Sequence, residues 1–275
     1  MNNNETPKER VANLYTRVAS TYGQVGPNYF AYAGQHLVKH LAIPEGAQVL
    51  DVAAGRGANL FAAAEVVGPH GRVIGIDLAP GMVQETTAEI QRRNLSHASM
   101  LQMDAEHLTF PDASFDYVLC GFAIFFFPHL EQALSEFFRV LRPAGKLGIT
   151  VARDIDALSR CYSQHVTAYH ERYNIPWRVG GGKGGNYAEL PRYLADAGFS
   201  NVQVLHEEAD FVYADAQMWW DAKWTHGTRY ALDNMSAEIL AQFKDEVFAK
   251  MAQEAQPDGI HETFRFQYIL ADKTR

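Results

Sequence analysis

The amino-acid sequence predicts an α/β fold built on a doubly wound parallel sheet. Two observations carry this. Between residues 47 and 152, short apolar runs alternate with longer stretches of helical spacing, as parallel strands joined by crossover helices do. With 275 residues, 47% of them hydrophobic and 20% charged, the chain can also bury a full core, and a single domain over 1–275 is expected.

The first strand is expected in "AQVLDVA", and "NLFAAAEVVG" follows as a helix closed by Gly68. "RVIGIDL" is apolar again, and "PGMVQETTAEIQRRN" opens on a proline suited to a helix start. Further strands are expected in "ASMLQMD", "FDYVLCGF" and "GKLGITVA", with a helix over "LEQALSEFFRVLRP" before the last. Ligands of such sheets bind beyond the carboxyl ends of the strands.

Composition narrows the function classes. A net charge of −8 supplies no basic stripe for a phosphate backbone, so no nucleic-acid partner is expected. "MNNNETPKER" lacks the apolar region of a signal peptide, and the apolar stretch around "VLCGFAIFFF" is too short for a span. The expectation is a cytoplasmic protein with no membrane partner. Cys120 and Cys161 come without paired Cys/His spacing, so neither a disulfide framework nor a metal site is expected.

The stretch "VLDVAAGRGAN", residues 49–59, sits after a strand and before a helix, where nucleotides bind. A dinucleotide fingerprint needs a third glycine three residues after Gly57, and that position is Leu60. Asp51 at the strand end also suits a ligand carrying an ammonium better than a pyrophosphate, because two like charges compete for one helix N-terminus. An NAD-dependent oxidoreductase is therefore disfavoured.

"VLDVAAGRG", "GIDLAPGMV", "MDAEHLTFPDASFDYVLCGFAIFFF" and "RVLRPAGKLGIT" follow one another in order over residues 45–152. Together they resemble the motifs of class I S-adenosylmethionine (SAM)-dependent methyltransferases, and are most similar to the ubiquinone/menaquinone C-methyltransferase group and its small-molecule relatives. The resemblance implies a Rossmann-like methyltransferase sheet, mostly parallel with an antiparallel last strand, beneath a helical cap. It makes 45–152 the SAM-binding core.

SAM presents an ammonium, a carboxylate, two ribose hydroxyls and an adenine edge. Gly55 and Gly57 let backbone approach the methionine part, and Asp51 can hold the ammonium directly or through water. Asp77 ends the second strand, where its carboxylate can accept from both ribose hydroxyls. By resemblance, Leu78 and Met82 pack near adenine and ribose, Asp104 accepts from the adenine amine, and the Ala105 N–H meets the ring. Gly121 and Phe122 lie along the methionine portion, while Tyr22 reaches the carboxylate. Met82 has a competing reading as core filler. Ala53 replaces a common glycine, and the turn is expected to need a small side chain there rather than a positive φ.

Segments 8–44, 155–186 and 214–256 are expected to form the cap that selects the acceptor. Tyr15 and Tyr22, seven residues apart, share a face if their helix is unbroken. "VGGGKGGNY" lacks the Gly-Lys-Ser/Thr ending of a phosphate loop and suits a lid hinge or a plain connector. Aromatic residues of the cap and the run after the fourth strand suggest an apolar pocket, with Tyr29, Phe126, Tyr169 and Trp219 as candidate walls. A strong general base is optional in such transfer, and Phe125 and Phe126 stand where some O-methyltransferases of this class carry histidines, so the familiar base is absent there. His165 and His226 are the candidates, and each has a competing reading as a surface or packing residue.

The sequence thus predicts transfer of a methyl group from SAM to a small aromatic or apolar acceptor by in-line displacement. A quinone-pathway C-methyltransferase and a catalytically silent SAM-binding protein stand as alternatives.

Overall fold

A computed structural model of the chain describes residues 5–152, 156–176, 179–180 and 187–274. Two helices, α1 (Pro7–Val18) and α2 (Tyr29–Leu41), precede the sheet. The alternating core runs β1 (Gln48–Val52), α3 (Ala58–Val67), β2 (Arg72–Asp77), α4 (Pro80–Arg92), β3 (Ala98–Gln102), β4 (Phe115–Gly121), α5 (Leu130–Val140) and β5 (Leu141–Ala152). Then come α6 (Ala157–Tyr173), α7 (Leu190–Asp196), β6 (Ser200–Tyr213), α8 (Ala216–Lys223), α9 (Arg229–Asp233), α10 (Ala237–Glu254) and β7 (Ile260–Asp272).

The seven strands lie in the order β3-β2-β1-β4-β5-β7-β6. Only β7 runs antiparallel to its neighbours, as expected for the last strand. Val49 and Leu50 of β1 face opposite ways into two separate apolar clusters. Helices α2 and α3 cover one face, and α5 and α7 the other. A strand buried on both faces needs the continuous apolar run seen there.

Two boundaries differ from expectation. The helix over 130–140 stops before Pro143, whose ring disfavours helical geometry at Arg142, and β5 begins at Leu141 rather than Gly145. A register shift between Phe115 and Tyr117 absorbs the irregular start. At the amino end, α1 stops at Val18 and Tyr22 lies in the following turns. The helix is broken, yet the Tyr15 and Tyr22 rings still meet edge to face at 5.8 Å.

Helices α6, α8, α9 and α10 enclose a third apolar cluster centred on Trp219, Trp220 and Phe243. Tyr213 and Ile260, at adjoining ends of β6 and β7, belong to this cluster and join it to the sheet.

Candidate cofactor and acceptor site

The site forms where β1, β2 and β4 end, and its floor is the turn between β1 and α3. Ala53, Gly55 and Gly57 all take left-handed backbone angles, with φ of +52°, +53° and +80°. Ala53 therefore corrects the expectation that its position avoids positive φ. At Gly57 a Cβ would come within 2.7 Å of the Phe61 ring, so glycine is required on two counts. Helix α3 then starts with its first N–H groups directed at the turn.

Asp51 is fully buried beneath the turn. One carboxylate oxygen accepts from Asn59 Nδ2 at 3.0 Å, and the other has no hydrogen bond of good geometry among the described residues. Burial pushes its pKa up to about 7, against the opposing effect of Asn59 and the Leu60 N–H. Asn59 lines the cavity above and Asp51 does not. The structure therefore corrects the direct form of the ammonium contact: Asp51 orients Asn59, and Asn59 meets the cavity. Asn59 escaped the sequence reading, although a polar residue one turn after the strand-end acid is its signal.

Asp77 closes β2 in the expected place. Its oxygens accept from the Gly55 N–H at 2.8 Å and the Ala79 N–H at 2.9 Å, which ties the β1 turn to the start of α4. Burial raises its pKa to about 6 in spite of these bonds. Each oxygen keeps a lone pair for a further donor.

A cavity lies over these residues, enclosing about 750 Å³ with its open mouth included. Tyr22, Ala53, Gly55, Asp77, Leu78, Met82, Asp104, Ala105, Gly121 and Phe122 all line it. Gly57 lines an adjoining chamber that shares Tyr22, Gly55 and Phe122. Met82 satisfies both of its readings: it lines the cavity and packs with Val18, Ala19 and Ala79.

Helix α1 roofs the cavity. Lys8 pairs with Asp104 at 2.6 Å and with buried Glu106 at 2.5 Å, while Arg56 donates to the Ala19 carbonyl at 2.6 Å. Lys8 thus occupies an oxygen of Asp104 that the sequence reading reserved for adenine. No local signal pairs residues 96 positions apart.

The acceptor side is aromatic. Phe122 has φ of +54°, a strained value for a bulky residue, and its ring stands edge-on to Tyr29 and Phe30. Tyr29 stacks on Phe264 at 4.2 Å. The chain leaves the strand at Gly121 and makes a short 3₁₀ turn over Ile124–Phe126, so strand alternation does not extend to the phenylalanines. Phe126 nonetheless lines the cavity and meets Tyr15 edge to face at 5.4 Å.

His226 brings its ring to 6.4 Å from both Tyr29 and Phe30. Burial, aided by the Lys223 charge, lowers its pKa to about 3, so the ring is neutral. The Thr228 hydroxyl lies 2.5 Å from the Lys223 carbonyl and 3.2 Å from His226 Nδ1. A carbonyl only accepts, so the hydroxyl proton goes to it and Nδ1 must carry its own proton. This tautomer leaves Nε2 with its lone pair.

Tyr29 and His226 line neither cavity themselves but pack behind Phe30 and Phe122, which do. Three candidates lie elsewhere. Trp219 and Tyr169 are buried in the cap, where Trp219 meets Tyr162 edge to face and Tyr162 and Tyr169 flank Phe243, and neither lines the two cavities. His165 sits on α6 with Nδ1 2.8 Å from the Cys161 carbonyl, a bond within its own helix. These corrections share a cause: the four cap helices need a core of their own, and the large aromatics fill it. Of the glycine-rich stretch, residues 181–186 lie outside the described residues, and Gly180 packs near the Phe126 ring.

The sheet order, the glycine turn and the acid closing β2 define the nucleotide-binding fold of class I SAM-dependent methyltransferases. SAM fits the donors present, since Asp77 has free lone pairs for the ribose and the Gly55–Gly57 backbone is open to a close approach. Comparisons agree. Residues 50–149 match the model of a methyltransferase domain. The chain is 30% identical over 273 residues to nocamycin O-methyltransferase of Saccharothrix syringae, covering 93% of this chain and 96% of that protein. It is 38% identical over 152 residues to demethylmenaquinone methyltransferase of Lactobacillus johnsonii, covering 53% of this chain and 62% of the relative. The YcgJ protein of Bacillus subtilis has the same fold, with a TM-score of 0.61 at 20% identity over 89% of this chain and 99% of that one. The chain belongs to the SAM-dependent methyltransferases, with SAM as its methyl donor and a small molecule as acceptor.

Proposed function

We propose that the protein methylates a hydroxyl on an aromatic or apolar small molecule, with His226 receiving the proton. The observation that carries this reading is the neutral His226 ring, which lies 6.4 Å from Phe30, a wall of the adjoining chamber, and whose Nδ1 is engaged with Thr228. When bound, SAM supplies a methyl group on a positively charged sulfur. Asp77 and the glycine turn hold its nucleoside and amino-acid ends, which aims the methyl past Gly121 and Phe122. Phe122, Phe30 and Phe126, backed by Tyr29, exclude water and offer flat apolar walls to the acceptor. As the acceptor oxygen bonds to the methyl its proton becomes acidic, so even a weak base such as His226 can take it.

Of the cap segments 8–44, 155–186 and 214–256, the first supplies Tyr15, Tyr22 and Tyr29 and the third His226, which supports assigning acceptor choice to those two. Similarity to nocamycin O-methyltransferase extends over the cap, whereas that to demethylmenaquinone methyltransferase covers about half the chain. This favours oxygen over ring carbon as the methylated atom. Two free cysteines support a cytoplasmic address. Among the described residues no helix is long and apolar enough to cross a membrane, and the net charge of −8 argues against nucleic acid.

The test is release of S-adenosylhomocysteine across a panel of phenols and other apolar hydroxyl compounds. His226→Ala should lower turnover by about 10²- to 10⁴-fold with SAM affinity intact. Full activity of that variant, or a product methylated on carbon, would overturn the reading.

A further inference from the structure

On the far end of α2, away from the cofactor cavity, His36 and His40 sit one turn apart and face β6. Their i, i+4 spacing puts both imidazoles on one side of the helix. Glu207 of β6 reaches between them. His36 Nδ1 is 2.7 Å from Glu207 Oε2, and His40 Nε2 is 2.9 Å from Glu207 Oε1.

Two features separate this trio from an ordinary hydrogen-bonded network. All the candidate ligand atoms lie within 4.8 Å of one another, close enough to share one ion. His36 Nδ1 and Glu207 Oε2 are buried, and despite their short separation neither makes a hydrogen bond of acceptable geometry. Buried polar atoms left in this way are costly unless something else occupies their lone pairs.

The surroundings fix the rings. Tyr32 stacks on His36 at 4.1 Å, and the Tyr268 ring lies 4.9 Å from His40. Supporting groups of this kind orient metal ligands and tune them. Two imidazoles and one carboxylate form a donor set suited to a borderline divalent ion.

We propose that His36, His40 and Glu207 bind one divalent transition-metal ion of the zinc class, which staples strand β6 to α2. None of the three lines the cofactor cavity, so the ion is structural. The Cys/His spacing search missed it because one ligand comes from a strand 167 positions beyond His40. The visible signal is His-x₃-His, a spacing that a helix places on one face.

The experiment uses the tag-free full chain stripped of metal, with zinc followed by calorimetry and cobalt by its visible absorption. One equivalent should bind at micromolar concentration and raise Tm. His40→Ala and Glu207→Gln should each weaken binding at least about tenfold, and His107→Ala should leave it unchanged. If either variant fails to fold, imidazole nitrogen spectra of the wild type decide, since zinc should shift the His36 and His40 signals alone. Absence of binding at submillimolar zinc, unchanged affinity in both folded variants, or shifts at other histidines would each overturn the proposal.

Discussion

Asp77 holds together two backbone segments and, in the same position, faces the ribose side of the cavity. Replacing it with alanine should cost about 1.5–3 kcal/mol of SAM binding, the range for hydrogen bonds to a charged group. Its pKa of about 6 stands above the ordinary 3.8 because of burial. A raised carboxylate pKa means that the folded state binds the proton more tightly than the unfolded one, so this group's contribution to stability falls as pH rises from about 4 to 6. SAM has the opposite preference, because its hydroxyls need the ionised acceptor. Affinity measured by calorimetry should therefore be level above pH 6 and decline below it, and a flat profile down to pH 5 would contradict the assignment. Ala53 offers a second test. Relief of its positive φ, about 1–2 kcal/mol, exceeds the entropy that a glycine adds to the unfolded chain, about 0.5–1 kcal/mol. Ala53→Gly should raise stability by about 0.5–1 kcal/mol and leave SAM affinity alone; a lower Tm would show that the strain is absent.

At the scale of elements, the roof of the cavity depends on one close approach. A Cβ on Gly81 would lie 2.7 Å from the Thr16 carbonyl oxygen, and the Gly81 N–H donates to Thr16 Oγ1 at 3.3 Å. Valine there must lift α1 from α4 and draw Lys8 and Tyr15 off the site. SAM should dissociate at least about tenfold faster from Gly81→Val, equivalent to about 1.4 kcal/mol lost from the closed state. Stopped-flow displacement checks this, and an unchanged rate would mean that α1 does not gate the cavity. The same contact shows what the sequence made legible. "GIDLAPGM" placed Asp77, Leu78 and Met82 because strand, turn and helix are local, and local order survives folding almost unchanged. It could not show that α1 lands on Gly81, that Lys8 reaches Asp104, or that His36 and His40 meet Glu207, since each joins distant segments. Trp219 and Tyr169 were misplaced for another reason. A pocket wall and a helical core call for the same large apolar side chains, so composition does not tell them apart.

The whole molecule is two packed bodies sharing β6 and β7: the sheet with its covering helices, and a cap with its own apolar cluster. Their joint contains a buried ion pair, in which Lys223 Nζ lies 3.0 Å from Glu262 Oε1 with both side chains less than a tenth exposed. Burial alone would raise the Glu262 pKa, but Lys223, Ser159 and Tyr213 overcome it and hold the group below its ordinary 4.5. A depressed carboxylate pKa contributes stability that is present above the unfolded value and lost as pH falls through the folded one. The cap should accordingly loosen in acid below about pH 4.5. Lys223→Met should do so at neutral pH, because Glu262 is left buried without a partner at a cost of about 3–5 kcal/mol. Tryptophan fluorescence is weighted toward this body, since Trp219, Trp220 and Trp224, three of the chain's four tryptophans, lie in or beside its cluster, while far-UV circular dichroism reads the molecule as a whole. In Lys223→Met the fluorescence transition should precede the dichroism transition on heating. The double variant Lys223→Met with Glu262→Gln, which removes the stranded charge, should recover most of the loss. A single coincident transition at the wild-type Tm would show that the pair contributes nothing to holding the cap, and with it His226, against the sheet.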